Sequence, residues 1–576
     1  MARYRWQVRP TNRQKAERLR NELNISSAMA QLLVARGYEN PADAYRFLHP
    51  SLNDLGDPFL LPDCERVVHR LVQAVQNREP VLVYGDYDAD GVTATALWLF
   101  TLQRLGVPAQ PMLPRRQHEG YDLHPNAIEA ARAIGAQLVL TCDCGTRAHR
   151  VVDELNAAGL EVIITDHHQP DSTLPNALAV VNPQRTDSRY PFAELSGVGV
   201  SFRVAEALVQ TLGYSVEKFR QAVLDLVTIG TVADVMPLLG ENRVLVAHGL
   251  QRLRSAPRLG LRKLMEVARL TQKPLTTRDI GFMIAPRLNA AGRMEDASLA
   301  LELLMTTDEP RAHALAQELE RHNRERQALQ QAILDEAQAQ IEEHGLLQHR
   351  ALFVHSLGWH HGIIGLVASK LVSSYYRPTF VVSVEQEAGV ARGSIRSIPA
   401  FDLTEVLQIM KPLCHKCGGH PAAGGFVAPL EQLETLRNLI LEHANQRLTD
   451  DDLVPELWID LEVEGREVNH RLLSELEMLE PFGTGNEPPL FLCRNVRVIG
   501  SRTSQDGKHL FLRIRPEGSP VQDAVLWNGG DNLLEPETLI DVVFQPETED
   551  YYGYPTLRWK LQDYQEQYLT VGSIWM

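Results

Sequence analysis

The chain has 576 residues, of which 44% are hydrophobic, and a formal net charge of −16. This length predicts about three or four domains, each with its own core. No apolar stretch approaches the roughly 20 residues of a membrane-spanning helix, and the N-terminus MARYRWQVRP has no apolar signal core. The six cysteines are too few for a disulfide framework. We therefore expect a cytoplasmic protein that makes no membrane contact.

The negative net charge argues against broad, non-specific adhesion to nucleic acid. It does not exclude a nucleic-acid partner, because a groove can be positive on an acidic protein. Part of the deficit would also come from metal-binding carboxylates, which bound cations would neutralise.

Acidic residues and histidines follow separate hydrophobic runs in the first half of the chain. They are Asp86, Asp88 and Asp90 in YGDYDADG, Asp143 in TCDCGT, Asp166, His167 and His168 in ITDHH, and Asp234 in TVADVMPL. The runs at 81–84, 137–141 and 161–165 are apolar or β-branched and bounded by turn residues, which predicts short buried strands. Helix-like stretches between them predict a parallel sheet with crossover helices. Ligands bind where the strands of such a sheet end.

This collection of charges predicts a metal site. Several carboxylates in one crevice repel each other unless cations neutralise them. Mixed carboxylate and imidazole ligands suit Mn²⁺, or Mg²⁺ where oxygen dominates. Two such ions can clamp the attacking and leaving oxygens of a phosphoryl transfer, so the motifs predict metal-assisted hydrolysis of a phosphodiester or phosphoanhydride.

Asp88 and Asp90 are two residues apart, so an extended backbone at a strand end would place both side chains on one face. A helix is expected to begin near Val92. A solvated acidic turn that caps this helix would explain one aspartate, but not three followed by further acids at the next strand ends.

The chain is predicted to have four parts. Residues 1–305 hold an N-terminal segment and the α/β domain with the acidic motifs. Residues 306–345 form a connecting helix of roughly 50 Å, because 311–344 contain no Gly or Pro and Gly345 ends the run. Residues 346–450 form a smaller α/β domain. Residues 455–576 contain five short strands, which predict a barrel of OB type that could bind single-stranded nucleic acid.

Two motifs after the connecting helix are typical of phosphate contacts. Arg396 in GSIRS offers a planar fork that suits phosphate oxygens. Gly418, Gly419 and His420 in KCGGHPAAGGF suit a backbone loop that approaches a phosphate closely. The segment CHKCGGH holds two Cys and two His within seven residues, which is too close in sequence for a zinc finger.

Taken together, these motifs resemble those of a known family. GDYDADG, the Asp before a glycine-containing turn, DHH and GTVADVMPL are similar to the motifs of the DHH phosphoesterase superfamily, and KCGGHPAAGGF resembles the GGH motif of its DHHA1 domain. LSGVGVSF, PRLNAAGRM and the C-terminal barrel narrow the resemblance to the RecJ single-stranded-DNA exonucleases. The implied fold class is α/β: a parallel-sheet DHH domain and a smaller α/β DHHA1 domain, joined by a long helix, plus a C-terminal OB-type β-barrel.

The resemblance also implies roles for residues of this chain. The implied metal ligands are Asp88, Asp90, Asp143, His167 and Asp234. The implied catalytic residues are Asp86, His168 and Asp166, the last of which would orient a histidine ring. The implied nucleic-acid contacts are Arg115, Arg287, Asn289, Arg293, Ser394, Arg396, Ser397, Gly419 and His420. The chain departs from the family pattern at Cys144, where many members have Asn, and at Ile395, where they have Gly.

The activity implied is that of a 5′→3′ exonuclease on single-stranded DNA, dependent on two Mn²⁺ or Mg²⁺ ions, in DNA repair and recombination. Single-stranded-DNA-binding protein and recombination helicases are implied partners. One alternative is a phosphodiesterase of short oligonucleotides or cyclic dinucleotides, although such small substrates need no barrel. A second is a non-catalytic nucleic-acid-binding module, which would be expected to have lost the acids.

Overall fold

The acidic motifs belong to a five-stranded parallel sheet in the computed structural model, which describes residues 4–114, 122–294, 296–551 and 554–567. In spatial order its strands are Ala109–Met112, Val81–Gly85, Leu138–Cys142, Glu161–Thr165 and Ala179–Val181. Alternate residues of the central strands enter two separate apolar cores, one on each face. The predicted parallel α/β sheet is confirmed.

Helices cover both faces of this sheet and complete what we call the first domain. Helices Ala127–Ile134 and His149–Ala157 pack on one face. The other face and the layers beyond it are formed by Cys64–Asn77, Ala89–Arg104, Gly197–Thr211, Val216–Ala233, Gly240–Ser255, Leu259–Val267, Thr277–Asp279, Ala285–Met294 and Ser298–Met305, with a π-helical turn at Ile280–Ile284. Both faces are thus shielded from water, as is usual for parallel sheets.

A single helix, Glu309–Glu343, leads from the first domain to the next. Its 35 residues span about 52 Å. Leu315 and Leu319 near its beginning are buried in the first domain, whereas Ile333 and Ile341 are buried in the core that follows. The predicted connecting helix is therefore confirmed, and it is anchored at both ends.

The second domain is a mixed sheet with helices Ile364–Tyr375, Leu403–Met410 and Leu433–Arg447. Its strands are, in spatial order, Lys416–His420, Ala423–Pro429, Val390–Arg396, Thr379–Glu385 and Leu352–Leu357. The prediction of a loop at 418–420 was wrong, because these residues form one arm of a β-hairpin. Gly419 lies opposite Gly424, and a Cβ at Gly419 would come within 2.5 Å of the Ala423 carbonyl oxygen. Glycine here permits tight strand pairing.

A closed barrel forms the C-terminal part. Its strands are Phe491–Thr503, Leu510–Arg515, Gln522–Leu526, Tyr554–Glu566 and Leu539–Tyr551, the last of which pairs with the first. The short strand Leu461–Glu462 joins its edge, and helix His470–Glu477 precedes it. The predicted OB-type barrel is confirmed.

The N-terminal segment packs on the barrel. Strand Arg5–Val8 pairs in parallel with Glu456–Ile459, and helices Arg13–Leu23, Ser27–Ala35 and Pro41–Leu48 share the barrel's apolar core. The Arg36 guanidinium lies 3.0 Å from the Asp460 carboxylate. The division into 1–305, 306–345, 346–450 and 455–576 stays a prediction. Within its first part, the N-terminal segment packs with the barrel and forms one packing unit with it.

One buried arginine joins that unit to the first domain. Arg243 donates hydrogen bonds to the main-chain oxygens of Phe47, Met478, Leu479 and Glu480 at 2.8–3.1 Å. Burial lowers the pKa of Arg243 to about 10, which leaves it charged at neutral pH.

Among the described helices, none combines the length and apolar composition needed to cross a bilayer.

Candidate metal centre

The acids and histidines meet at one edge of the first domain's sheet. Asp86 follows strand Val81–Gly85, Asp143 follows Leu138–Cys142, and His167 follows Glu161–Thr165. Asp234 is the C-terminal cap of helix Val216–Ala233 and reaches the same edge. Parallel strands all end at this edge, which explains why residues far apart in the sequence converge there.

Asp88 has extended backbone as the N-terminal cap of the next helix, but Asp90 lies inside that helix, so the expectation that one extended segment carries both side chains was wrong. The helix begins at Ala89 instead of near Val92, because the Asp88 carboxylate accepts from the main-chain N–H groups of Asp90 and Gly91. Asp90 lies in the first turn, where its carboxylate accepts from the N–H groups of Gly197 and Val198 at 2.7 and 2.9 Å. A helix start thus holds both acids at the sheet edge.

Three groups of side chains have ligand atoms within 4.8 Å of one another. They are Asp86, Asp88 and Asp143; Asp90, His167 and Asp234; and Asp143, His167 and His168. The first two groups share no residue, so the site could hold two ions. The third group links them, since Asp143 belongs to the first and His167 to the second.

The buried polar atoms fit a cation. Within the described residues, Asp86 Oδ1, Asp143 Oδ1 and His167 Nε2 are buried without a hydrogen-bond partner, although burying an unsatisfied polar group is unfavourable. His167 Nε2 lies 3.2 Å from Asp143 Oδ1 and 3.4 Å from Asp234 Oδ2. Atoms at this spacing can share an ion as ligands.

The pKa values of the clustered acids also indicate that bound cations would stabilise the site. Burial, together with the neighbouring Asp88 carboxylate, raises the pKa of Asp90 to about 7. Burial and the surrounding carboxylates also raise the pKa values of Asp86, Asp143 and Asp234 well above the usual range. Burial lowers the pKa of His167 to about 4, so its imidazole is neutral and able to coordinate a metal.

His168 is held as a cation at the rim of the site. Its Nδ1 donates to Asp166 Oδ1 at 2.7 Å. Burial opposes the charge, but this bond and the Asp166 carboxylate raise the pKa of His168 to about 9. Burial would likewise raise the pKa of Asp166, yet its contacts with His168 lower it below the usual range. Asp166 therefore orients the His168 ring.

Glycines let the main chain approach these acids. A Cβ at Gly197 would lie 2.3 Å from Asp143 Oδ1, and one at Gly91 would lie 2.5 Å from the Asp86 carbonyl oxygen. Asp143 itself has a φ of +65°, a left-handed conformation that is unfavourable outside glycine and recurs at functional sites.

Sequence reasoning missed three polar residues that brace the site. Asp122 Oδ1 accepts from the Gly145 N–H, two residues after Asp143, at 2.8 Å. Asn182 and Gln184 donate to the main-chain oxygens of His168 and His167, respectively. Asn182 and Gln184 follow strand Ala179–Val181, the next strand along the sheet edge. Their position after a strand was the available signal.

Three of the five expected phosphate contacts of the second domain share one sheet face. Arg396 pairs in register with Ala423, which pairs with His420, so the Arg396 and His420 positions are about 10 Å apart on the same face. Ser394 lies two residues before Arg396 and has the same orientation. Gly419 alternates to the opposite face, and Ser397 lies just beyond the strand, where its hydroxyl donates to the Phe401 carbonyl.

The basic residues of the first domain have different surroundings. Arg293 donates to the carbonyl of Gly362, three residues before Gly365. A Cβ built on Gly365 would lie 3.0 Å from Ser394 Oγ and 3.5 Å from Arg396 Nη2. Asn289 accepts from the Ala89 N–H at the metal centre.

Arg287 is buried and pairs with Glu320 of the long helix at 2.7 Å. Arg115 lies outside the described residues.

Comparison with known proteins gives matches to three family models. Residues 80–231 match the DHH family, N-terminal domain; residues 349–446 match the DHHA1 domain; and residues 459–563 match the RecJ OB domain.

Curated and solved relatives agree with these matches. The single-stranded-DNA-specific exonuclease RecJ of Bacillus subtilis is 38% identical over 92% of this chain, which spans 66% of that relative's length. RecJ of Dickeya dadantii is 32% identical over 92% of this chain and 94% of its own. The crystal structure of Thermus thermophilus RecJ in complex with Mn²⁺ has a TM-score of 0.84 at 31% identity, covering 98% of this chain and 80% of that one. The chain belongs to the RecJ family of single-stranded-DNA-specific exonucleases.

Proposed function

We propose that this protein is a single-stranded-DNA-specific exonuclease that hydrolyses phosphodiester bonds from the 5′ end and uses two Mn²⁺ or Mg²⁺ ions. The observation that carries the proposal is the pair of ligand groups at the sheet edge, which share no residue and each contain buried polar atoms without a hydrogen-bond partner among the described residues. The named activity of the relatives and the Mn²⁺ and Mg²⁺ complexes of the Thermus thermophilus protein support it.

The ligand assignment is part of this proposal. Asp88, Asp90, Asp143, His167 and Asp234 would hold the ions, and Asp86 joins them because it groups with Asp88 and Asp143. Two bound divalent ions supply Lewis acidity and charge neutralisation for phosphoryl transfer. Asp166 fixes the His168 ring and, in the metal-free protein, raises its pKa so that the protonated form is favoured; that form can donate to a phosphate oxygen.

We propose that the second domain holds the 5′ end of the strand. Arg396 can donate two parallel hydrogen bonds to phosphate oxygens, and His420 on the same face can donate a third. The contact from Arg293 to Gly362 brings this face close to the first domain. A terminal phosphate bound there would leave the first phosphodiester over the ions, which orients cleavage from the 5′ end.

The barrel offers a surface for the rest of the strand. Trp527 is 41% exposed and lies 4.7 Å from the His509 ring and 6.4 Å from the Phe511 ring, measured between centroids. The Arg502 guanidinium covers Phe511 at 4.6 Å. Aromatic side chains beside a cation can bind single strands without sequence preference, because every base presents a π-face.

Partners and location follow as further proposals. An enzyme that acts on single strands would meet single-stranded-DNA-binding protein and the helicases that expose such strands in repair and recombination. A DNA substrate also supports a cytoplasmic location.

The two alternatives are less well supported. A phosphodiesterase of short oligonucleotides or cyclic dinucleotides would leave the barrel surface without a use. A non-catalytic binding module would not need the acids and histidines that gather at one sheet edge.

End-labelled single strands distinguish these functions. Strands labelled at either end, a blunt duplex and a cyclic dinucleotide would be incubated with Mn²⁺, Mg²⁺ or EDTA, with Asp143→Ala as the inactive control. We expect mononucleotides from the 5′ end of the single strand only, and none in EDTA. Degradation from the 3′ end, or faster hydrolysis of the dinucleotide, would contradict the proposal.

A further inference from the structure

An exposed aromatic side chain lies on the segment that borders the metal centre. Residues 277–294 form one continuous helical segment that contains the π-helical turn Ile280–Ile284. Phe282 in this turn is 73% exposed. π-Helical turns are rare and often occur at functional sites, and a large aromatic ring in water is unfavourable without a partner.

The direction of Phe282 follows from the spacing along this segment. Phe282, Pro286, Asn289 and Arg293 recur at intervals of four, three and four residues, so they share one face. Ile284, Leu288 and Ala291 are buried on the opposite side.

Two residues of the exposed face have contacts that locate it. Asn289 accepts from the Ala89 N–H, beside Asp88 and Asp90, and Arg293 donates to Gly362 of the second domain. The face therefore borders the cleft between the metal centre and the second domain. Phe282 precedes Asn289 by seven residues, which corresponds to roughly 10 Å.

The neighbours of Phe282 are suited to a nucleobase and its phosphate. The Arg278 guanidinium carbon lies 5.9 Å from the Phe282 ring centroid. A Cβ built on Gly281 would touch Val232 at 3.9 Å, one turn before Val235. Val235 is 66% exposed, directly follows Asp234 and has a φ of +59°, which is unfavourable for a β-branched residue.

This surface also lies between the metal centre and the barrel. Thr277, five residues before Phe282, donates through its hydroxyl to the Phe482 carbonyl. The Leu238 N–H, four residues after Asp234, donates to the Thr484 carbonyl at 2.8 Å. Phe482 and Thr484 shortly precede the first long barrel strand, Phe491–Thr503. The segments 277–294 and 234–238 therefore both connect the metal centre with the barrel side of the protein.

We infer that Phe282, with Arg278 and Val235, forms a stacking subsite for one nucleobase of the single strand between the barrel and the metal centre. The inference rests on the proposed function. Stacking of a base on an aromatic side chain changes affinity by about 5- to 150-fold, the equivalent of about 1–3 kcal/mol. One base held at a fixed distance from the ions would also set the register of the strand for cleavage.

Strands with a single abasic residue test the subsite. The full-length protein in EDTA would be titrated with 5′-phosphorylated oligonucleotides that lack one base at successive positions from the 5′ end. We expect one position at which the missing base weakens wild-type binding by about 5- to 150-fold. Phe282→Ala should bind the intact strand more weakly by a similar factor and lose nothing further at that position, whereas Phe282→Trp should behave as the wild type.

A matched control is available in the same domain. Tyr214 is 61% exposed and follows helix Gly197–Thr211, so Tyr214→Ala should retain the wild-type abasic profile. Equal abasic profiles for wild type and Phe282→Ala would overturn the inference. Hydrolysis of the intact strand by the wild type with Mn²⁺ is measured in parallel. Absence of that hydrolysis would count against the proposed function, whereas hydrolysis without an abasic effect at Phe282 counts against the subsite alone.

Discussion

Asp143→Asn is expected to stabilise the metal-free protein while it abolishes hydrolysis. Asp143 Oδ1 is buried without a hydrogen-bond partner among the described residues. Burial raises the pKa of Asp143 well above its usual range, and the charges of Asp90 and Asp88 raise it further. Asparagine keeps the shape of the side chain and removes the charge, so it relieves the repulsion and also removes an ion ligand.

The sign and size of the effect depend on pH. A carboxyl whose pKa is raised by folding binds more protons in the folded state than in the unfolded state. As the pH rises from the unfolded pKa to the folded pKa of such a group, the free energy of unfolding therefore falls by up to about 1.4 kcal/mol per pH unit. For Asp90, with a folded pKa of about 7, that interval is roughly pH 4 to 7. The amide that replaces the Asp143 carboxyl does not titrate, so the variant lacks the Asp143 contribution to this loss. At pH 8 the variant should gain up to about 4 kcal/mol, the energy of two unit charges 4 Å apart at an effective dielectric constant of 20.

Thermal unfolding at pH 5 and pH 8, in EDTA and in Mn²⁺, measures this. In EDTA the variant should unfold at a higher temperature than the wild type at pH 8, and the difference should shrink at pH 5. Mn²⁺ at about 100 times its dissociation constant should stabilise the wild type by about 2.7 kcal/mol and the variant much less. If the variant were less stable than the wild type in EDTA at pH 8, or if Mn²⁺ stabilised both equally, the electrostatic account of this site would be refuted.

Three further predictions follow from packing and charge. Gly197→Ala should lower turnover at least about 100-fold, because its Cβ would lie 2.3 Å from Asp143 Oδ1 and a 1 Å displacement of a catalytic group has effects of that size. Gly500→Ala is the control, since a Cβ at Gly500 would meet no atom within 4 Å; equal rates for the two variants would contradict the prediction. Arg396→Ala should reduce the preference for a 5′-phosphate over a 5′-hydroxyl by about 10-fold or more, since a charge-assisted hydrogen bond contributes about 1.5–3 kcal/mol; competition between the two strands measures it, and an unchanged ratio would place the phosphate elsewhere. A chain that ends after Arg447 should aggregate, because removal of the barrel exposes the apolar faces of the N-terminal helices. Removal of residues 1–50 from that fragment should make it monodisperse in gel filtration. A monodisperse fragment that still contains residues 1–50 would contradict this prediction.

The positions of the acids were predictable because strand ends have a clear sequence signal. An apolar run followed by Asp143, or by Asp166 and His167, indicates both a strand and the edge at which it ends. The backbone of Asp88 and Asp90 was not predictable in the same way. An aspartate after a strand can continue an extended chain or cap a helix, and only the hydrogen bonds to Asp90 and Gly91 decide between the two.

Contacts between segments far apart in the sequence could not be predicted, for a different reason. The burial of Arg287 against Glu320, and the packing of the N-terminal helices on the barrel, join segments whose local patterns would suit many partners. The glycines of 418–425 favour turns by composition, yet here they allow two strands to pair closely. In each case tertiary packing, rather than the local sequence pattern, determined the structure.

The pairing of Arg5–Val8 with Glu456–Ile459 has a consequence for synthesis on the ribosome. The two strands are separated by about 450 residues, so at about 5–20 residues per second the first waits roughly 20 to 90 s for the second. During that time Leu19, Met29 and Leu33, which the finished barrel buries, remain exposed to water on the nascent chain. Chaperone demand should therefore be greatest for the earliest part of the chain, and the N-terminal helices should be the last to acquire protection from proteases.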